Sequence, residues 1–199
     1  MNIGSDFALY LRLGLRHILN LGAVDHLLYL IIMAIPFVWR EWRSVVVLVT
    51  GFTLGHSLTL ALAALDVVRV DSQVVEVLIP VTILVTALVV MGRNRSQGTV
   101  PRPARLGAST YLLPLGFGLI HGLGFATYLR SLLGSEESIL QPLLWFNLGL
   151  EAAQLLVVAT VLTLTSGVVD RLLDRRTWQL AIGTLIIAWS TAMIAERLS

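Results

Sequence analysis

The sequence predicts an all-α fold: a polytopic transmembrane helical bundle of about six spans, preceded by an N-terminal interfacial helix. Three observations predict it. Of 199 residues, 56% are hydrophobic and only 13% charged, about half the charged fraction of a soluble domain. The mean hydropathy is +0.84, more apolar surface than one small globule can hide, so lipid must be the solvent for much of it. Finally, apolar runs near the length of about 20 residues needed to cross a bilayer recur along the whole chain.

Residues 1–20 open the chain with a stretch that sets Arg12 and Arg16 among Phe7, Tyr10, Leu11 and Leu15. Two arginines argue against a full crossing and for an amphipathic helix in the membrane interface. Six apolar runs follow within residues 24–195: Val24–Trp39, Ser44–Leu65, Val74–Gly92, Thr110–Leu133, Ile139–Leu164 and Trp178–Ala195. The first is short unless extended backwards through Ile18–Ala23. Together, residues 1–199 read as a single integral membrane domain. No cleavable signal peptide is expected, because the N-terminal stretch lacks a clean apolar run and a small-residue cleavage site.

Arginine placement sets the expected orientation. Arg40 and Arg43 follow the first run, Arg93, Arg95, Arg102 and Arg105 the third, and Arg171, Arg175 and Arg176 the fifth. The other two connections lean acidic, with Asp66 and Asp71 in one and Glu136 and Glu137 in the other. The arginine-rich connections belong in the cytoplasm, which places both termini outside a bacterial inner (cytoplasmic) membrane. Trp39, Trp42 and Trp178 then fall at cytoplasmic boundaries, as an aromatic belt would. The basic pI near 9.5 therefore points to no nucleic acid. The expected partners are the lipid bilayer and a metal ion, and the fold is compatible with a homo-oligomer or a membrane partner protein.

Chemistry must come from few residues. There is no cysteine, which excludes thiolate ligands, disulfides and a cysteine nucleophile. Only four histidines are present, His17, His26, His56 and His121. His17 closes the interfacial helix, and His26 follows Asp25 at the start of the first span. His56, His121 and Glu151 each lie about a dozen residues into their spans, roughly 18 Å at 1.5 Å per residue, near mid-membrane. A charge there costs at least roughly 2.5–3.5 kcal/mol, so such groups usually have a partner and a task. Thr50, Thr53, His56 and Ser57 share one helix side, as do Asn147, Glu151 and Gln154. Glu76 enters its span from the outer side, where it reaches the interface. Pro80 and Pro114 free backbone carbonyls within their spans. Imidazole with carboxylate suits a divalent ion such as Ni, Co or Zn, whereas Cu(I) would call for cysteine or clustered methionine.

Residues 51–61, Gly-Phe-Thr-Leu-Gly-His-Ser-Leu-Thr-Leu-Ala, are similar to residues 116–126, Gly-Phe-Gly-Leu-Ile-His-Gly-Leu-Gly-Phe-Ala. Both lie in spans expected to run the same way, so a repeat built on them would be parallel.

The motifs around these residues resemble the HupE/UreJ family, particularly its second, shorter branch. The matching stretches run from His17-Ile-Leu through Asp25-His26-Leu-Leu-Tyr-Leu and residues 51–60 to Phe117-Gly-Leu-Ile-His121-Gly-Leu-Gly-Phe and Phe146-Asn147-Leu-Gly-Leu-Glu151. The resemblance implies a nickel or cobalt permease, with metal-handling roles for His17, Asp25, His26, His121 and Glu151. Here seven residues, not the family's five, separate His17 from Asp25; on a continuous helix that changes which faces meet.

Two functions follow. One is a permease that takes a divalent ion at His and carboxylate ligands and passes it inward by His56, His121 and Glu151. The other is an intramembrane zinc-dependent hydrolase acting on a lipid or membrane peptide, with Ser57 or Glu151 assisting proton transfer. A polar path continuing past Thr50 towards Gln154 would favour transport.

Overall fold

A computed structural model describes residues 3–22, 24–96, 108–133, 139–169, 172 and 174–199. Arg102, Arg105, Glu136, Glu137 and Arg171 lie outside the described residues. In chain order the helices are α1 (Ile3–Leu19), α2 (Asp25–Ala34), α3 (Trp42–Ala64), α4 (Ser72–Ser96), α5 (Ala108–Leu133), α6 (Leu140–Leu164) and α7 (Arg175–Leu198). A short 3-10 turn, Trp39–Glu41, leads into α3, and a π turn, Thr165–Val169, extends α6. Among the described residues there is no strand.

Of the six crossings expected, four appear among the described residues as helical segments long and apolar enough to span: Trp39–Ala64, Ser72–Gly92, Leu140–Gly167 and Arg175–Leu198. Asp25–Ala34 and Leu112–Phe125 are shorter apolar stretches. At ten residues, α2 rises about 15 Å, half of a hydrocarbon core of roughly 30 Å. Pro36 is the local reason: it has no amide hydrogen to give the carbonyl four residues back, so the expected Val24–Trp39 run stops short. The carbonyls this strands near the end of α2 find donors on α7. Gln179 Nε2 donates to Ile35 O at 3.3 Å and Arg175 Nη2 to Phe37 O at 3.1 Å.

Burial follows helix periodicity. Along α3, Val45, Leu48, Val49, Phe52, His56, Thr59, Leu60 and Ala63 are buried, three and four residues apart, while Val47, Leu54 and Leu58 are exposed. Leu144, Leu148 and Leu156 do the same on α6. Leucine-rich faces turned outward while polar side chains are buried are what a lipid solvent selects, and these apolar helices are those of an integral membrane protein. The end of α3 closes as a Schellman motif. Asp66 takes the left-handed position at φ 60, and Val67 N reaches back to Leu62 O at 2.9 Å, a geometry usually filled by glycine. Asp66 also pairs with the Arg69 guanidinium, whose pKa that carboxylate raises.

Glycines set the helix pairs. A Cβ on Gly118 would collide with the Phe52 carbonyl, and one on Gly55 with the Leu115 carbonyl, so α3 and α5 touch backbone to backbone. The α1/α6 pair is built alike, with Gly14 against the Phe146 carbonyl and Gly149 against the Leu11 carbonyl. Such contact is the small-residue packing expected between membrane helices. α4 packs along α7, where Gly183 accommodates the Met91 sulfur and Arg197 Nη1 lies 3.6 Å from the Glu76 carboxylate. Arg197 also donates to the Glu76 carbonyl at 3.0 Å, the carbonyl that Pro80 leaves without an intrahelical partner. Glu76 is exposed and belongs to this end of the bundle.

Candidate metal centre

Four helices bring the four imidazoles together. His17 comes from the last turn of α1, His26 from the first turn of α2, His56 from the middle of α3 and His121 from the middle of α5. Ring centroids lie 4.7 Å apart for His17 and His26, 5.0 Å for His26 and His121, 5.7 Å for His17 and His56, and 6.0 Å for His26 and His56. His26 is therefore the hub. The interruption of the helix between α1 and α2 makes this possible. On one continuous helix, residues 17 and 26 would be separated by about 13 Å of rise; instead the turn at Asn20–Gly22, fixed by Gly22 N donating to Asn20 Oδ1 at 3.0 Å, interrupts the helix and sets the start of α2 beside the end of α1.

One ligand atom from each of His17, His26 and His56 lies within 4.8 Å of the others. A tetrahedral ion with bonds of about 2.0–2.1 Å wants nitrogens roughly 3.4 Å apart, so small imidazole rotations complete the geometry. The donor atoms are available. His17 Nε2, His26 Nε2, both nitrogens of His56 and Nδ1 of His121 are buried with no hydrogen bond within the protein. A buried polar atom without a partner is costly, and this many convergent ones fit an incoming Lewis acid.

Neighbours fix the tautomers. Asp25 Oδ1 stands 3.1 Å from His26 Nδ1 and also accepts the His26 amide at 2.9 Å. The carboxylate thus accepts a hydrogen bond from Nδ1–H and leaves Nε2 as the lone-pair donor, the carboxylate–histidine arrangement of metal sites. Asp25, expected among the ligands, stands against the His26 imidazole. Thr82 Oγ1 donates its single proton to Ile79 O at 2.7 Å and lies 3.0 Å from His121 Nε2. With that proton donated to Ile79 O, Thr82 accepts from Nε2–H, leaving His121 Nδ1 free. Thr82 was not singled out from the sequence, although Thr82 and Thr86 one turn apart on an apolar helix were a readable signal. Tyr29, Phe52, Phe125 and Phe146 wall the pocket, with Phe125 4.2 Å from the His17 ring and Phe52 5.1 Å from His121.

Glu151 is placed with a second polar group at the α3/α6 crossing. Thr50 Oγ1 donates to Glu151 Oε1 at 2.7 Å and Thr53 Oγ1 to Gln154 Oε1 at 2.7 Å. Asn147, one turn earlier, donates Nδ2 to Leu143 O at 2.8 Å, and its Oδ1 is buried without a hydrogen bond. Thr53 lies one turn before His56 on α3, so this oxygen-rich stripe adjoins the histidines at the α3/α6 crossing and runs along α6. Ser57 Oγ donates to the Thr53 carbonyl at 2.6 Å.

A family model described as HupE / UreJ protein matches residues 1–197. No curated protein and no solved structure matches the chain.

Proposed function

Since the chain belongs to the HupE/UreJ family, we propose that it is a permease for a divalent metal ion of the nickel or cobalt kind. The observation that carries this reading is the convergence of His17, His26 and His56 donor atoms within 4.8 Å in a buried, aromatic-walled pocket. Imidazole donors suit borderline divalent ions. The ion is cargo, so the site must also let go. Its three ligands belong to three separate helices, and a small relative movement of α1, α2 and α3 weakens all the bonds together.

The oxygen stripe supplies the onward path. Asn147, Glu151 with Thr50, and Gln154 with Thr53 offer harder, weaker donors leading from the histidines towards the end of the bundle where α2 and α6 finish and α3 and α7 begin. At that end Trp39 N meets Ser166 Oγ at 3.4 Å and Arg175 meets Phe37 O. On the positive-inside rule its arginine-rich connections favour the cytoplasm, with uptake running inward. A path of this kind supports transport over hydrolysis. Ser57, the group a hydrolase would recruit, is engaged with a backbone carbonyl one turn away.

The test is uptake of nickel, cobalt and zinc into proteoliposomes carrying the purified chain. Saturable entry of at least one ion is expected; entry no faster than in protein-free vesicles overturns the reading. Glu151→Gln is expected to slow turnover by about tenfold or more while equilibrium binding at the histidines changes little, because it removes charge from the path and not from the pocket. Parallel loss of binding and uptake would instead put Glu151 in the binding site.

A further inference from the structure

The two glycine-mediated helix pairs are copies of one arrangement. Gly55 lies over the carbonyl of Leu115 and the amide of Leu119, three before and one after Gly118; Gly118 lies likewise over Phe52 and His56, three before and one after Gly55. In the other pair, Gly14 lies over the carbonyl of Phe146 and the amide of Leu150, three before and one after Gly149, and Gly149 over the carbonyl of Leu11, three before Gly14. The sequences follow the same correspondence. Gly14-Leu-Arg-His17 on α1 matches Gly118-Leu-Ile-His121 on α5, and Phe52-Thr-Leu-Gly55 on α3 matches Phe146-Asn-Leu-Gly149 on α6. Ring contacts obey it too: His17 meets Phe146 at 5.7 Å, and its counterpart His121 meets Phe52 at 5.1 Å.

The halves are inverted. α3 and α5 run the same way, since Gly118 meets Phe52 and His56 while Gly122, further on, meets His56 and Thr59. Phe125, late in α5, stacks on Phe146, early in α6, at 5.0 Å, so α6 runs opposite to α5. α1 follows α6, because Phe7 meets Trp145 at 4.9 Å while Gly14 meets the Gly149 region. The parallel likeness between residues 51–61 and 116–126 thus marks two helices that pack together, while the recurring contact pattern pairs α1 with α5 and α3 with α6. In transporters, inverted halves exchange conformations around a central site.

Resting on the permease reading, we infer that His17 and His121 are alternate ligands of one site. In this state His17 joins His26 and His56; when the halves exchange conformations, the Nδ1 of His121 takes its place and His17 withdraws. His26 lies between them, 4.7 Å from one ring and 5.0 Å from the other, and is the ligand both states keep.

Binding of Co(II) to the purified full chain tests this, with affinity and d–d absorption as readouts. His17→Ala and His121→Ala are each expected to bind one Co(II) with a spectrum like the wild type and affinity reduced less than about tenfold, because the other histidine serves. The double variant is expected to lose more than about 100-fold, far beyond the sum. If His17→Ala alone matches the double variant and His121→Ala changes nothing, the exchange is overturned while the metal site stands. If both single variants shift the spectrum, four histidines bind at once and the exchange is again overturned. A wild-type chain that binds no Co(II), Ni(II) or Zn(II) sinks the permease reading itself.

Discussion

His56→Ala is expected to abolish metal uptake while leaving the metal-free protein as stable as the wild type or more so. The His56 ring is fully buried on α3, facing His17 and His26, and neither of its nitrogens has a hydrogen-bond partner in the protein. In the empty protein that ring is a liability, since desolvated polar atoms without partners cost roughly 1–3 kcal/mol. Alanine removes the liability and leaves a small void, and the two effects oppose each other. With metal present the balance reverses, because a direct ligand is gone. The loss of affinity should exceed the roughly 10–100-fold typical of outer-shell partners, and Asp25→Asn, which keeps an acceptor behind His26, should fall within that smaller range. Thermal unfolding with and without Co(II) checks both halves: wild type should gain stability from the ion and His56→Ala should not. A His56→Ala protein still stabilised by Co(II) and still transporting would remove His56 from the site.

Gly118→Val is expected to prevent assembly of the bundle. Its Cβ would overlap the Phe52 carbonyl and crowd the His56 amide, and neither is a flexible side-chain end that can swing aside. Ordinary core overpacking costs about 1–3 kcal/mol; a backbone clash forces α3 and α5 apart along their length and carries His56 and His121 with them. The expected result is loss of monodisperse protein after detergent extraction. Gly116→Ala is the control on the same helix. Nothing lies within 4 Å of a Cβ there, and the exchange gains up to about 1 kcal/mol of helix propensity, so it should extract normally. Equal behaviour of the two variants would refute the close-contact role of Gly118.

The helical, lipid-solvated nature of the chain was legible because it depends on composition and on apolar periodicity, both local properties. The crossings were less so. Val24–Trp39 looks like a span by hydropathy, yet Pro36 ends it and the turn at Asn20–Gly22 begins it late, giving a helix of half-membrane length. Hydropathy averages over such interruptions. Thr82 was passed over because a threonine in a membrane helix most often bonds its own backbone; only its position opposite His121 gives it a second task.

By itself, the sequence determined the ligand inventory: four imidazoles, no thiols and a few intramembrane acids, so that any metal chemistry had to be imidazole-based. Only the tertiary structure decided which of these meet. The seven-residue separation between His17 and Asp25 would turn His17 away on an unbroken helix; a turn that interrupts the helix brings it back, and the glycine contacts that set helix spacing deliver His56 and His121 from remote parts of the chain. The reason is physical. Residue identity fixes what a group can bind, but convergence depends on helix breaks and on backbone approach distances, which no periodicity in one segment encodes.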